Sequence, residues 1–166
     1  MKKLISTSLV LMLGLPTIIA LAQHSQVPRV AAASPCTDFH KKSCMRSPDE
    51  GFSYNGQSRS GLFSKGQSST IKAVFYQGMD YHISVCCEDK TPINFSIKDA
   101  KTGEVLYDNS TDNNTNEIQL TNQNTRHVNI MVTIPGGDAK VDKVKGTEGM
   151  CAGLLIEHRR SDKTGF

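Results

Sequence analysis

The chain contains no tryptophan and only six phenylalanines and four tyrosines in 166 residues. Sugar-binding surfaces draw on exposed aromatic rings, and here only Tyr54, Tyr76 and Tyr107 are candidates for one. Neither sign of charge dominates: 19 Lys and Arg stand against 16 Asp and Glu, interleaved, with only Arg159, Arg160 and Lys163 gathered near the C-terminus. A nucleic-acid surface needs a concentrated basic patch, so that class is excluded. The mean hydropathy of -0.35 excludes a polytopic membrane protein, and no heptad or longer repeat is present. Gly-rich phosphate loops, a Gly-x-Ser-x-Gly elbow, His-Glu-x-x-His and paired Cys-x-x-Cys motifs are all missing. The linear signatures of phosphoryl transfer, serine hydrolysis and zinc chemistry are therefore missing as well. Carboxylate pairs that meet only in space leave no such trace.

What is present begins with an export signal. Lys2 and Lys3 precede an apolar run from Leu4 to Leu21, and Ala20-Leu21-Ala22 forms a small-x-small site before Gln23. This pattern predicts a signal peptide over residues 1–22, with Pro16 and the cleavage site arguing against a retained anchor. No cysteine follows the site, so lipid attachment is not indicated. Cleavage takes two lysines away and leaves 17 of the 19 basic side chains against 16 acidic ones. The mature protein is thus nearly neutral, with no stable membrane insertion expected. Residues 23–35 read as a flexible linker, 36–57 as an irregular segment tied down by disulfides, and 161–166 as a C-terminal tail.

From about residue 60 the hydrophobic period becomes two. Ile71, Ala73 and Phe75 alternate with Lys72, Val74 and Tyr76, then Tyr81, Ile83, Val85 and Cys87 with His82, Ser84 and Cys86, and Ile93, Phe95 and Ile97 with Asn94, Ser96 and Lys98. Val105 and Tyr107, Ile118 and Leu120, and Val128, Ile130, Val132 and Ile134 follow, before a last apolar stretch over 150–156. Alternation of this kind marks half-buried strands. Seven or eight strands without helical periodicity predict an all-β antiparallel sandwich spanning 36–160, jelly-roll or Greek-key in connectivity, each sheet turning a wet face outward. A closed barrel is the alternative architecture.

The order Gly78, Tyr81, Ile83, Val85, then Ile97, Asp99, Gly103 and Val105, then Val128, Ile130 and Val132 resembles the secreted bacterial jelly-roll sandwiches called pre-peptidase C-terminal domains, and their GOLD-like relatives. The resemblance covers about half of the mature chain and implies a secreted accessory module, not a catalyst. It carries over no binding residue.

Cys36, Cys44, Cys86, Cys87 and Cys151 are disulfide candidates in an exported chain. Five is odd, so two bridges and one reduced thiol are expected. Cys36 and Cys44 are close in sequence, which predicts a local bridge. Strand parity puts Cys87 on the core face and both Cys86 and Cys151 outside, which predicts Cys86–Cys151; a bulge near Gly149 or Gly153 would bring in Cys87 instead. Adjacent cysteines chelate zinc poorly. His82, His127 and His158 are available to activate a thiol, but nothing local marks them; His82 and His127 fall on polar strand faces, where a surface histidine is expected.

The densest set of oxygen ligands lies in residues 108–117, with Asp108 and Asp112 as candidate calcium ligands. It lacks the glycine and spaced glutamate of an EF-hand loop, and its residues also make ordinary turns. Asn94 and Asn109 match the glycosylation acceptor pattern, which a bacterial export signal leaves unused. No residue stands out as catalytic and no cofactor beyond that calcium is implied. These features predict a secreted or periplasmic, non-catalytic module that binds a protein or an envelope glycan, chiefly through residues 108–117 and 138–149. A secreted enzyme with a hidden cysteine or carboxylate site is one alternative, and a purely structural periplasmic domain is the other.

Overall fold

Among the described residues nine strands build the two antiparallel sheets that the alternation predicts. The computed structural model describes residues 34–136 and 149–162; the expected signal peptide, nearly all of the linker and most of the 138–149 loop lie outside them. The elements are α1 (Phe39–Ser43), β1 (Ser53–Tyr54), β2 (Arg59–Phe63), β3 (Ser68–Phe75), β4 (Met79–Cys87), β5 (Asn94–Asp99), β6 (Val105–Asp108), β7 (Glu117–Asn122), β8 (Arg126–Thr133) and β9 (Met150–Arg160). One sheet runs β1-β9-β4-β7, with β2 also paired to β9; the other runs β3-β8-β5-β6. Among the described residues no helix is long and apolar enough to cross a membrane.

The inward set of each strand makes one core. Phe75, Tyr81, Ile83, Phe95, Ile97, Ile130 and Ile156 are buried between the sheets, and the stacked rings of Phe75 and Tyr81 lie 4.3 Å apart. Burying such side chains supplies the main stabilising term, about 1.5–3 kcal/mol each.

Two expectations need correction. The middle of the β9-β4 sheet has no wet outer face: on β4 every residue from Asp80 to Val85 is buried, and on β9 every residue from Cys151 to Glu157. Residues 36–54, including α1, lie across that face and cover it. The cysteine pairing also differs. Cys36 joins Cys151, and Cys44 joins Cys86, while Cys87 is the free cysteine. Parity does place Cys86 and Cys151 on the same outer face, but the register sets Gly153 opposite Cys86 and leaves Cys151 two residues farther along. Diagonal neighbours on a sheet are about 7–8 Å apart, beyond disulfide reach. The covering segment meets each of them instead, with Cα–Cα spacings of 5.3 Å for Cys36–Cys151 and 4.9 Å for Cys44–Cys86. A local Cys36–Cys44 bridge is thereby excluded.

Candidate functional site

The covered face of the β9-β4 sheet holds most of the buried polar chemistry. His82 on β4 is 1% exposed; its Nδ1 lies 3.2 Å from Glu157 Oε2 on β9 and its Nε2 3.0 Å from Glu117 Oε2 on β7. The surface position expected for His82 is therefore wrong, because the covering segment seals its strand face. Glu157 Oε2 also accepts the backbone N–H of Ser47 at 2.7 Å, and Oε1 lies 3.4 Å from the Arg46 guanidinium. Ser84 donates to the Met45 carbonyl at 2.6 Å. Nearby, Arg159 packs over the Phe52 ring and pairs with Asp80. Burial pushes the Asp80 carboxyl up, but hydrogen bonds from Thr121, Ser161 and Arg159 outweigh it and hold it below the usual range. These groups satisfy one another and face a lid of backbone, so their evident work is to fasten residues 45–54 to the sheet.

The start of that cover depends on one glycine. A Cβ on Gly153 would come 2.9 Å from His40 Cα and 3.0 Å from Cys44 Sγ, so only glycine lets α1 lie against β9. Ser60 Oγ donates to the Cys36 carbonyl at 2.7 Å and so accepts from His40 Nδ1 at 3.0 Å, leaving His40 Nε2 to accept from the Tyr54 hydroxyl at 3.2 Å. Burial lowers the His40 pKa, in keeping with a neutral ring in that chain of bonds.

An open cleft lies elsewhere, along the side of the sandwich where β2 ends one sheet and β3 the other. Its volume is about 190 Å³, and Phe63, Ile71, Val132, Ala152 and Leu154 form its apolar walls. Arg59, Ser60 and Ser69 supply the polar part. The space exists because Gly61 points inward on β2, opposite Ala152, where a Cβ would meet only the Phe63 ring at 3.5 Å. Its lining contains neither an acid–base pair nor a nucleophile beyond serine hydroxyls, so it is built to hold apolar groups beside a cation.

The sequence-selected residues fall apart from this cleft. Asp108 accepts the Ser110 N–H at 2.9 Å and caps the short 3-10 turn Asn109–Thr111; hydrogen bonds from the Ser110 side chain and then its backbone keep the Asp108 pKa low. Asp112 Oδ2 accepts from the Tyr107 hydroxyl at 3.0 Å. The 108–117 segment is organised from within by Asn109, which is fully buried. Asn109 accepts the Phe95 N–H and donates to the carbonyls of Ile93 and Thr115, which closes that acceptor to glycosylation in the folded chain. Among the described residues no group of three or more His, Cys, Asp or Glu is arranged to hold a metal ion. Cys87 lies at the inner end of β4, and burial pushes its thiol pKa up, the reverse of nucleophile activation. His127 is exposed and Tyr76 stands out from the end of β3. Sequence reasoning missed the cleft; an inward-parity glycine on a short edge strand, Gly61, was its one trace.

Tyr107 gives a spectroscopic handle on this loop. Burial and the Asp112 carboxylate push its phenol up to about 12. The neutral phenol is the form the fold favours, so the associated stability is present below the unfolded tyrosine pKa of about 10 and lost as pH rises through about 12. Burial raises the Tyr81 phenol as well, so an ultraviolet titration should show late-titrating phenols whose amplitude falls by one phenol in Tyr107→Phe and moves in part to lower pH in Asp112→Asn. A late step unchanged in Tyr107→Phe would contradict the assignment.

No family model and no curated protein matches the chain. Among solved structures, the crystal structure of Aeromonas hydrophila PliG, a periplasmic lysozyme inhibitor of g-type lysozyme, matches with a TM-score of 0.40 and 11% identity, covering 69% of this chain and 90% of its own. A likeness of that size carries no inference about function.

Proposed function

We propose that this protein is an exported, non-catalytic β-sandwich that works by contact with a protein partner, and that the contact is seated in the cleft between β2 and β3. Two disulfides, Cys36–Cys151 and Cys44–Cys86, fasten the covering segment to the sheet, a framework suited to an oxidising extracellular or periplasmic compartment. The observation that carries the reading is the cleft itself: an apolar hollow, opened by Gly61, in the side of the sandwich. A volume near 190 Å³ is slightly above the 150 Å³ or so that accepts a benzene-sized group. That suits one aromatic or branched side chain of a partner and is too small for a long acyl chain.

Gly61→Leu fills this hollow, and the backbone there tolerates a side chain. With a photoreactive phenylalanine at the exposed position Ser68, the exported protein should crosslink in its own cells to one discrete protein. Gly61→Leu should remove that adduct while leaving the melting temperature within a few degrees. An adduct indifferent to Gly61→Leu would sink the reading.

A further inference from the structure

The edge strand beside the cleft is open over part of its length, and the opening follows the strand's hydrogen-bond parity. On β3, the Gln67 carbonyl accepts from Ile134 N–H at the end of β8, so odd-numbered residues direct their backbone groups toward β8. The N–H of Val74 points the other way and is met by the Gln57 side chain at 3.3 Å. Even-numbered residues therefore present N–H and C=O to the free edge. The Gln57 amide closes that edge at Val74, whereas Ser68, Thr70 and Lys72 are exposed. The side chains of Ser69 and Ile71, between them, line the cleft. The first half of β3 thus offers a row of outward backbone groups directly above an apolar hollow.

We propose that this edge and the cleft form one site, which takes an extended, acidic segment of a partner polypeptide as an added strand on β3. The proposal rests on the contact reading of the cleft and adds to it the form of the occupant. A strand paired to residues 68–72 turns alternate side chains inward, toward β2, which is where the cleft lies; one apolar side chain then packs against Phe63 and Leu154. Main-chain pairing supplies affinity and the alternate side-chain pocket supplies selectivity. The charge of the segment follows from the rim: Arg59, whose Nη1 donates to the Gly56 and Ser58 carbonyls without neutralising its charge, lines the cleft, Lys72 flanks the open edge, and no carboxylate is among the lining residues.

The test uses the full disulfide-bonded protein and a library of random ten-residue linear peptides. Selection should enrich sequences in which apolar residues alternate with others and a carboxylate accompanies them. Methylating the backbone nitrogens of a selected peptide one at a time should weaken binding about ten-fold at every second position and little between, since one lost hydrogen bond is worth about that factor. Lys72→Pro removes an outward N–H at an edge position where proline is tolerated, and should cost a similar factor or more, whereas Lys72→Ala should cost only a few-fold. Gly61→Leu should abolish binding. Helical spacing of the sensitive positions, or equal binding by Lys72→Pro and Lys72→Ala, overturns strand addition. In that event the Ser68 adduct lost in Gly61→Leu would still uphold the cleft as a contact site, and its absence would remove both.

Discussion

Replacing Cys36 and Cys151 together by alanine is expected to lower the free energy of unfolding by about 5 kcal/mol, and replacing Cys44 and Cys86 by about 4. The order follows from the loops closed: the bridges span sequence separations of 115 and 42 residues, and the chain entropy removed from the unfolded state grows with the logarithm of that length. For a domain of this size the larger loss corresponds to a fall in melting temperature of about 15 °C or more. Variants are a better probe than reductant, because Cys36 is 1% exposed and its bridge opens slowly to a thiol. Non-reducing peptide mapping should recover Cys36 with Cys151 and Cys44 with Cys86. Recovery of Cys86 joined to Cys151 would overturn the arrangement, as would melting temperatures unmoved in both double variants.

Glu157→Ala should be nearly as damaging, about 3–5 kcal/mol in urea denaturation, because it strips the partner from buried groups that cannot reach water. Glu157 is 2% exposed, and its carboxylate serves His82, the Ser47 N–H and Arg46 together. Arg46→Ala removes the most exposed of these contacts, a guanidinium with 58% of its side chain in solvent, and should cost less than about 1 kcal/mol. The contrast matters more than either number. If both variants lose the same stability, Glu157 is not the fastening point of the covering segment.

The strands of the core were legible because their inward residues are large and apolar at period two, as in Val128, Ile130, Val132 and Ile134. Burial on the second face of β4 and β9 was harder to see. Asp80, His82 and Ser84 look like a wet face by residue type, yet they are interior, with Ser84 bonded to the Met45 carbonyl of the cover, His82 to Glu157 and Glu117, and Asp80 to Thr121 and Arg159. On β9 a signal existed: Cys151-Ala152-Gly153-Leu154-Leu155-Ile156 is continuously small or apolar, as strands covered on both sides tend to be. The disulfide pairing turned on register, the one-residue detail that composition does not carry. Gly61 was hidden for the opposite reason, since a missing side chain leaves no pattern, only room.

The position of β9 has a consequence for how the molecule is made. It is the last strand among the described residues, yet β1, β2 and β4 all hydrogen-bond to it, while the β3-β8-β5-β6 sheet uses only residues up to Thr133. A polypeptide emerging N-terminus first can complete that second sheet early, but the sheet built on β9 waits until all four strands of the other sheet have emerged. Until then β4 lacks one of its flanking strands and the cysteines at 36, 44 and 86 are without the strand that orders them. Pairings of this sequence separation are slow to form and leave strand edges exposed meanwhile. During that interval Cys36 and Cys44 can find each other first, and escape from such a non-native bridge would then limit the rate of maturation.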